Sequence, residues 1–229
     1  MLILLVSLAI QAQLCRADRP NILFIMSDDH ACNAISAYGG RLAGVAPTPN
    51  IDRIASEGIR LNRCFVTNSI CTPSRAVILS GQHSHINGVR TLGDSFPGPE
   101  SGTPNVADIL RESGYETSLI CIWHLRSATW GFDFWKVGPG HGQYFNPVFV
   151  SSRDNINYTS RAPKGARRTK GYYTDLVTDF AHEWLKNRNR DRPFFLMLHQ
   201  KAPHGKWEPA RRHREYLADI EIPEPDTLW

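Results

Sequence analysis

The chain has 229 residues, of which 41% are hydrophobic, 21% charged and 10% aromatic. This composition excludes a disordered chain, a collagen-like repeat and a small disulfide-dense scaffold, and the length is sufficient for one large core. The net charge is +4, from 26 Lys and Arg against 22 Asp and Glu. A charge this mild suits anionic small substrates and is too diffuse to indicate nucleic acid as a partner.

The N-terminus begins with an apolar run of ten residues, too short to span a bilayer as a helix. The small residue Ala17 follows, where a signal-peptide cleavage site fits. We predict a signal peptide over residues 1–17, export to a periplasm, a lumen or the exterior, and one domain over residues 18–229. A buried first strand is the alternative interpretation. No other segment is long enough to predict a membrane span.

Four cysteines remain after the predicted cleavage: Cys32, Cys64, Cys71 and Cys121. No pair has C-x-x-C spacing, which argues against a zinc site defined by sequence. The four thiols are sufficient for two disulfides. If Cys71 has another role, three remain and at least one is free.

The first predicted strand, residues 21–27, is a continuous apolar run of the kind that a parallel sheet buries on both faces. It ends at Asp28 and Asp29. Two carboxylates therefore follow the carboxyl end of a strand, where α/β folds place their ligands. An ordinary strand-ending turn is the alternative interpretation of this pair.

The rest of the chain alternates between predicted helices and strands, which indicates an α/β fold with a mostly parallel sheet. Between them, the segment 126–170 is rich in Gly, Pro, aromatic residues and Arg, and we predict a long surface excursion there. The predicted helices cover residues 51–58, 73–79, 103–114 and 175–187, and the predicted strands cover residues 115–123 and 193–199.

The sequence CTPSR at residues 71–75 places Cys71 just before a helix that proline opens. A cysteine there lies at the positive end of the helix dipole, and Arg75 is close enough to hold an anion beside it. A buried cysteine at a helix start would give the same pattern.

Several further motifs occur in a fixed order around CTPSR, and together they resemble the sulfatase family. The motifs are RPNILFIMSDDH at 19–30, TPNIDRIASEG at 48–58, SG at 80–81, GYET at 114–117, WHL at 123–125 and APH at 202–204. The resemblance covers the chain after the signal peptide but only the N-terminal half of a full-length member. It implies the alkaline-phosphatase-like fold, a mixed, mostly parallel sheet sandwiched by helices, which we expect to be truncated at its C-terminal end.

The resemblance also implies a reaction cycle centred on Cys71. A separate maturation enzyme, formylglycine-generating or anaerobic, would oxidise this cysteine to formylglycine. One hydroxyl of the hydrated aldehyde would attack the sulfur of a sulfate ester and release the alcohol, leaving a sulfated enzyme. The second hydroxyl would then lose its proton, and sulfate would leave as the aldehyde reforms.

The family's other site residues map onto this chain by the same motifs. Asp28 and Asp29, with the modified Cys71, correspond to ligands of Ca²⁺, which would polarise the sulfate oxygens. Arg75 corresponds to the residue that holds the formylglycine and the charge on its metal side.

Two histidines complete the implied site. His124 corresponds to a base for the elimination step, and His204 corresponds to a histidine near the leaving oxygen, where a general acid belongs. Each of them, taken singly, would fit a hydrogen-bonded structural histidine equally well. The chain's other histidines carry no motif that points to a role, although His83 or His85 could edge the pocket.

Two departures from the family pattern bear on activity. Ile122 replaces a lysine that bridges the nucleophile and the sulfate, and the loss of such a contact costs roughly 10²–10³ in rate. The family's further Asp-Asn pair and second lysine lie on a segment beyond Trp229. The resemblance therefore fits either a piece of a working sulfatase or a degenerate homologue.

Three aromatic-rich stretches, at 131–135, 138–149 and 199–209, resemble a carbohydrate branch that acts on N-acetylglucosamine-6-sulfate or mucin-type glycans. Trp135 and Tyr144 are candidate stacking platforms for a sugar, and Lys201 and Lys206 are candidate anion contacts. Aromatic side chains that attach an irregular loop to the core are the alternative.

Two surface features remain. A glycosylation sequon lies at 157–159, and a basic run at 161–170 suits either a polyanionic glycan or a solvated loop.

The motifs leave two other functions open. The same superfamily contains phosphonate monoesterases and phosphodiesterases that share the C-x-P-x-R pattern. A glycan-binding homologue without catalysis would explain Ile122 and the missing segment.

Overall fold

The computed structural model describes residues 19–154 and 166–228. The predicted signal peptide, the sequon and the first half of the basic run lie outside the described residues. In chain order the main elements are β1 (Ile22–Asp28), α1 (Pro49–Glu57), α2 (Cys71–Ser80), α3 (Ser84–Asn87), α4 (Val106–Glu112), β2 (Glu116–Ile122), β3 (Phe134–Gly138), β4 (Val148–Ser151), β5 (Arg167–Arg168), α5 (Tyr173–Asn187) and β6 (Phe194–Pro203). Short 3₁₀ turns occupy Cys32–Ala34, Ser36–Tyr38, Pro99–Ser101 and Arg211–His213.

The strands form one mixed sheet in the order β1-β6-β2-β3-β4-β5. The first four of these strands are parallel, and β4 and β5 continue the sheet in antiparallel pairing. The strand β6, which is last in sequence, pairs between β1 and β2, so the carboxyl ends of these three strands meet at one edge. The prediction of a mixed, mostly parallel sheet is confirmed.

Helices cover both faces of the central strands. On one face α2 and α4 pack their apolar side chains, including Ala76, Leu79 and Ala107, against β2, β3 and β6. On the other face α5 presents Val177 and Trp184 to β2 and β6. This is the arrangement expected when two faces of a parallel sheet are buried.

The prediction that both faces of β1 are buried is wrong. Side chains alternate along β1, and Leu23 and Ile25 are 48% and 55% exposed. Ile22 and Phe24 pack on the α2 side of the sheet, whereas α5 lies over β6 and β2. Because β1 is an edge strand, the described residues cover its α5 side only in part.

The prediction that residues 126–170 form only a surface excursion is also wrong. The strands β3 and β4 lie within this segment, and Val137, Phe149 and Val150 are buried. Both strands are short and are separated by glycine- and proline-rich turns, so the composition of the whole segment concealed them.

The four cysteines of the described region are all free thiols, so the prediction of possible disulfides finds no support there. Cys32 and Cys64 are exposed, and Cys121 is buried in the sheet. Within the same region, no helix combines the length and apolarity needed to cross a membrane.

Candidate active site

The predicted site residues converge where the parallel strands end. Asp28 is the last residue of β1 and Asp29 follows it, His124 lies just after β2, and His204 follows β6. Asp29 and His124 both have positive φ, at 60° and 52°, so the backbone turns sharply as it leaves each strand. Cys71 is the first residue of α2, and this helix therefore begins at the same edge.

Cys71 lies against the first carboxylate. Its Sγ is 3.8 Å from Oδ1 of Asp28, and the side chain is partly buried. Burial raises the pKa of the Cys71 thiol, the charge of Asp28 raises it further, and Arg75 opposes the rise. The thiol is therefore held in its neutral form in this environment.

Arg75 connects three parts of the fold from a buried position. Its Nη2 is 3.2 Å from Oδ2 of Asp28, and its Nη1 donates to the carbonyl oxygen of Ile122 at 2.8 Å. The same Nη1 lies 3.1 Å from Nδ1 of His199. The guanidinium thus fixes the carboxylate at the end of β1 relative to the ends of β2 and β6.

His199 is a site residue that the sequence analysis left without a role. Burial, and secondly the charge of Arg75, lowers its pKa well below 6.5, so the imidazole is neutral and its Nδ1 accepts from Arg75. The stretch 199–209 begins with it but assigned it no role, because its contact with Arg75 depends on the pairing of β6 beside β1.

The start of α2 has no side-chain cap. Its N-cap residue is Ile70, which has no polar atom for the first backbone N–H groups. The hydroxyl of Thr72 instead donates to the carbonyl oxygen of His124 at 2.8 Å and ties the helix to the end of β2. The amino end of the helix therefore faces the site with its positive dipole uncompensated by a capping oxygen.

Three imidazoles line one side of the site. The rings of His124 and His141 have centroids 4.1 Å apart, and those of His141 and His204 are 4.8 Å apart and stacked. Nδ1 of His204 lies 2.8 Å from the carbonyl oxygen of Gly205, which leaves Nε2 facing Oδ2 of Asp29 at 3.7 Å. The sequence analysis missed His141, although a histidine between two glycines in an otherwise aromatic loop was a usable signal.

Lys201 is close to the site and 3% exposed. Its Nζ is 4.7 Å from the centroid of the Tyr144 ring and 3.5 Å from the carbonyl oxygen of Gly205. Burial lowers the pKa of Lys201, and the charges of Asp28, Glu208 and Asp29 oppose that change. The ammonium group is therefore enclosed and lies within the field of the site carboxylates.

The other candidate substrate residues do not all reach the site. Trp135 lies near the start of β3, away from the carboxyl ends, and packs partly against the core. Tyr144 is 3% exposed, and its hydroxyl donates to the carbonyl oxygen of His204 at 2.5 Å. It therefore supports the His204 loop and offers no ring face to a sugar. Lys206 is exposed, and the side chain of Ile122 is buried against α5.

Two groups of side chains bring metal-ligating atoms within 4.8 Å of one another. The first group is Asp28, Cys71 and His204, and the second is Cys71, His124 and His141. Asp29 adds a second carboxylate beside the first group, through its contact with His204.

A mixed, mostly parallel sheet between helices, with a carboxylate pair, a helix-start cysteine and histidines at its carboxyl edge, is the arrangement of the alkaline-phosphatase-like fold class. Comparison with known proteins narrows this class. The Sulfatase family model matches residues 20–220. The chain belongs to the sulfatase family.

Two relatives share the greater part of this chain. N-acetylglucosamine-6-O-sulfatase of Bacteroides thetaiotaomicron is 42% identical over 214 residues, which are 92% of this chain and 35% of the relative. A solved structure of BT4656 in complex with its substrate D-glucosamine-2-N,6-O-disulfate has a TM-score of 0.81 and 40% identity, over 91% of this chain and 40% of that one. The chain thus spans little more than a third of the length of these relatives.

A phosphonate monoester hydrolase of Agrobacterium radiobacter has the same fold. The TM-score is 0.58 with 22% identity, over 81% of this chain and 41% of that one. At this identity the likeness concerns the fold alone.

Proposed function

We propose that this protein is a sulfuric ester hydrolase that removes sulfate from a glucosamine-type carbohydrate. The observation that carries the proposal is the placement of Cys71 at the start of α2, 3.8 Å from a carboxylate that Arg75 also holds. A nucleophile at this position would meet the sulfate of a substrate between the helix dipole, the guanidinium and Lys201. Positive groups around a developing negative charge are the main requirement of such a transfer.

The nucleophile requires the modification of Cys71 by a separate maturation enzyme. Formylglycine, when present at this position, supplies a hydrated aldehyde whose hydroxyl attacks the sulfur. Arg75 holds the carboxylate of Asp28 in place beside the side chain at position 71. Its buried contacts with the ends of β2 and β6 prevent it from swinging into solvent.

The donor chemistry at the end of β1 fits Ca²⁺. Asp28 and Asp29 offer hard carboxylate oxygens, the ligand type that calcium prefers, next to position 71. They supply part of the usual shell of about six to eight oxygens. Bound Ca²⁺ would neutralise charge on the sulfate oxygens, and these two carboxylates are the described residues that would hold it.

The two predicted catalytic histidines have separate positions for separate proton transfers. Nε2 of His204 faces Oδ2 of Asp29 at 3.7 Å, because Nδ1 is directed at the carbonyl oxygen of Gly205. This nitrogen is suited to protonating the leaving alcohol oxygen. His124 lies near Cys71 and is suited to accepting a proton there in the elimination step.

Lys201 is our candidate for the main cationic contact with the sulfate. Ile122 is apolar and its side chain is buried against α5, so position 122 supplies no cationic contact. Lys201 is enclosed and lies within the field of the two site carboxylates. Lys206, on the exposed loop that follows His204, would contact more distant parts of the substrate.

The substrate class follows from the two relatives, one named for N-acetylglucosamine-6-O-sulfate and one solved with a disulfated glucosamine. We extend that class to this protein, together with export from the cytoplasm and the 1–17 signal peptide, on the strength of family membership. Hydrolysis of a phosphonate or phosphodiester is the second candidate, because hydrolases of those esters share the C-x-P-x-R pattern found at residues 71–75. Glycan binding without turnover is the third.

The test is sulfate release by protein that was co-expressed with a formylglycine-forming enzyme. The substrates are glucosamine-6-sulfate, its 2-N,6-O-disulfate and the matched 6-phosphate. We expect release from the sulfates, loss of release in Cys71→Ala, and full retention in Cys121→Ala, which removes a buried thiol outside the site. Activity of Cys71→Ala would contradict the mechanism, preference for the phosphate would favour the second candidate, and binding without turnover would favour the third.

A further inference from the structure

The loop between β3 and β4 brings a third imidazole to Cys71. One ligand atom each from Cys71, His124 and His141 lies within 4.8 Å of the other two. Cys71 and His124 are half-buried, and His141 is exposed at the mouth of the site. A sulfur and two imidazole nitrogens with an open side form the donor set of a three-ligand zinc site with one position for water.

We infer that the thiol form of this protein, before conversion of Cys71, binds Zn²⁺ through Cys71, His124 and His141. The donors are softer than the carboxylates at the end of β1, so they select Zn²⁺ over Ca²⁺. The inference concerns the unconverted chain and is independent of whether the converted protein hydrolyses sulfate esters.

The geometry requires only a small closure. Zinc bonds of about 2.3 Å to sulfur and about 2.0–2.1 Å to nitrogen place the ligand atoms roughly 3.5 Å apart in a tetrahedron. The ligand atoms here are at most 4.8 Å apart. His141 lies between Gly140 and Gly142, both with positive φ, and an exposed side chain on such a turn rotates inward without displacing the core.

The charges around the cluster suit a divalent cation. Binding replaces the Cys71 S–H bond with a bond from the thiolate to zinc, and the proton leaves to solvent. No electron is transferred. The thiolate and the carboxylates of Asp28 and Asp29 carry three negative charges, which offset most of the four positive charges of Zn²⁺, Arg75 and Lys201 in this neighbourhood. The alternative group of Asp28, Cys71 and His204 is less suitable because Asp28 is already paired with Arg75.

The test uses protein produced without a maturation enzyme, so that position 71 remains a thiol. Zinc affinity is measured by competition with a chromophoric chelator, and Co²⁺ is used in parallel because cobalt–thiolate bonds absorb in the near ultraviolet. We expect one strong site with this absorption in the parent protein and no such absorption in Cys71→Ser. In His141→Gln we expect the zinc affinity to fall at least 10–100-fold, because removing even a residue that only supports a metal ligand has an effect of that size. His85→Gln, an exposed histidine outside the cluster, should leave affinity unchanged.

Alkylation gives a second readout that does not depend on the variants. Zn²⁺ should slow the reaction of Cys71 with iodoacetamide, whereas the exposed Cys32 and Cys64 in the same sample should react at unchanged rates. Peptide mass spectrometry separates the three sites. Equal zinc affinity of the folded Cys71→Ser variant and the parent protein, or unchanged alkylation of Cys71, would overturn the inference.

Discussion

The two sides of β6 differ in how their apolar residues are used. On the β2 side, Leu196 and Ile120 are completely buried beneath α5. On the β1 side, Leu23 and Ile25 are about half exposed, the helix α1 has no buried residue, and Phe65 in the following loop is 86% exposed. The two sides carry similar apolar sequences. The pattern of apolar residues therefore predicts whether an element is a helix or a strand and which face is apolar, whereas burial of that face requires a second element packed against it.

The site lies across the boundary between these sides. Asp28 and Asp29 come from the open side, and Cys71, His124 and Lys201 come from the covered side. Arg75 holds the two sides together through its ion pair with Asp28. Four pairs of variants test this division.

The largest effect is expected at the ion pair that joins the two sides. Arg75→Met leaves Asp28 and the carbonyl oxygen of Ile122 without their partner, and loss of one member of a buried pair costs about 3–5 kcal/mol. Arg53→Met breaks the exposed pair with Glu57 on α1 and should cost at most about 0.5 kcal/mol. Urea unfolding measures both. Similar losses in the two variants would show that Arg75 does not join the sides.

The second comparison tests the covers directly. Leu196→Ala should lower the free energy of unfolding by about 2–5 kcal/mol, because it opens a cavity between β6 and α5. Leu23→Ala on β1 should change it by about 0.5 kcal/mol or less, because that side chain is half exposed. An equally large loss at Leu23 would mean that the α5 side of β1 is covered in solution.

The third comparison concerns the two candidate anion contacts. Lys201→Met should lower the rate of sulfate release roughly 10²–10³-fold, as expected for the loss of one charged contact to a transferring group. Lys206→Met, on the exposed loop, should change it only a few-fold. Steady-state kinetics of the converted enzyme gives both values. A larger effect of Lys206→Met than of Lys201→Met would indicate that the sulfate binds nearer to the loop that carries Lys206.

The smallest effect is a pH dependence that originates in the covered side. The pKa of His199 is lowered by burial, so the folded state takes up this proton only at a pH well below 6.5, whereas the unfolded state takes it up near 6.5. The free energy of unfolding is therefore independent of this group above pH 6.5. Below pH 6.5 it falls by about 1.4 kcal/mol per pH unit, until the pH reaches the pKa of His199 in the folded state. His199→Gln should flatten the dependence, and His85→Gln should not. If the free energy of unfolding of His199→Gln depends on pH as steeply as that of the parent protein, another group causes the loss of stability at low pH.

Much of the fold was predictable from the sequence, and the error in the burial of β1 has a clear physical cause. The periodic or continuous apolar runs of β1, β2, β6 and α5 predicted those elements to within a few residues. The exposure of Leu23 was not predictable, because it depends on which strand pairs at the edge of the sheet. Local patterns carry secondary structure, whereas burial depends on distant pairing.

The candidate site divides in the same way. Motifs identified Cys71, Arg75 and the two predicted histidines, and the fold then brings these residues close together. His141 and His199 lie in the aromatic-rich stretches 138–149 and 199–209, but those stretches gave neither residue a role. The first arrives on a loop between short strands, and the second faces Arg75 only after β6 pairs with β1. Trp135 was overvalued, because composition does not distinguish a sugar platform from a residue that packs a strand.

The uncapped start of α2 lowers the stability of the helix but leaves its first N–H groups available to a ligand. Ile70→Asp would give the first N–H groups an acceptor and should stabilise the helix by about 0.5–2 kcal/mol. The same carboxylate would occupy the donors, and oppose the charge, that a sulfate needs there. Isoleucine at this position thus leaves the protein less stable than its fold permits and keeps the helix terminus available for an anion.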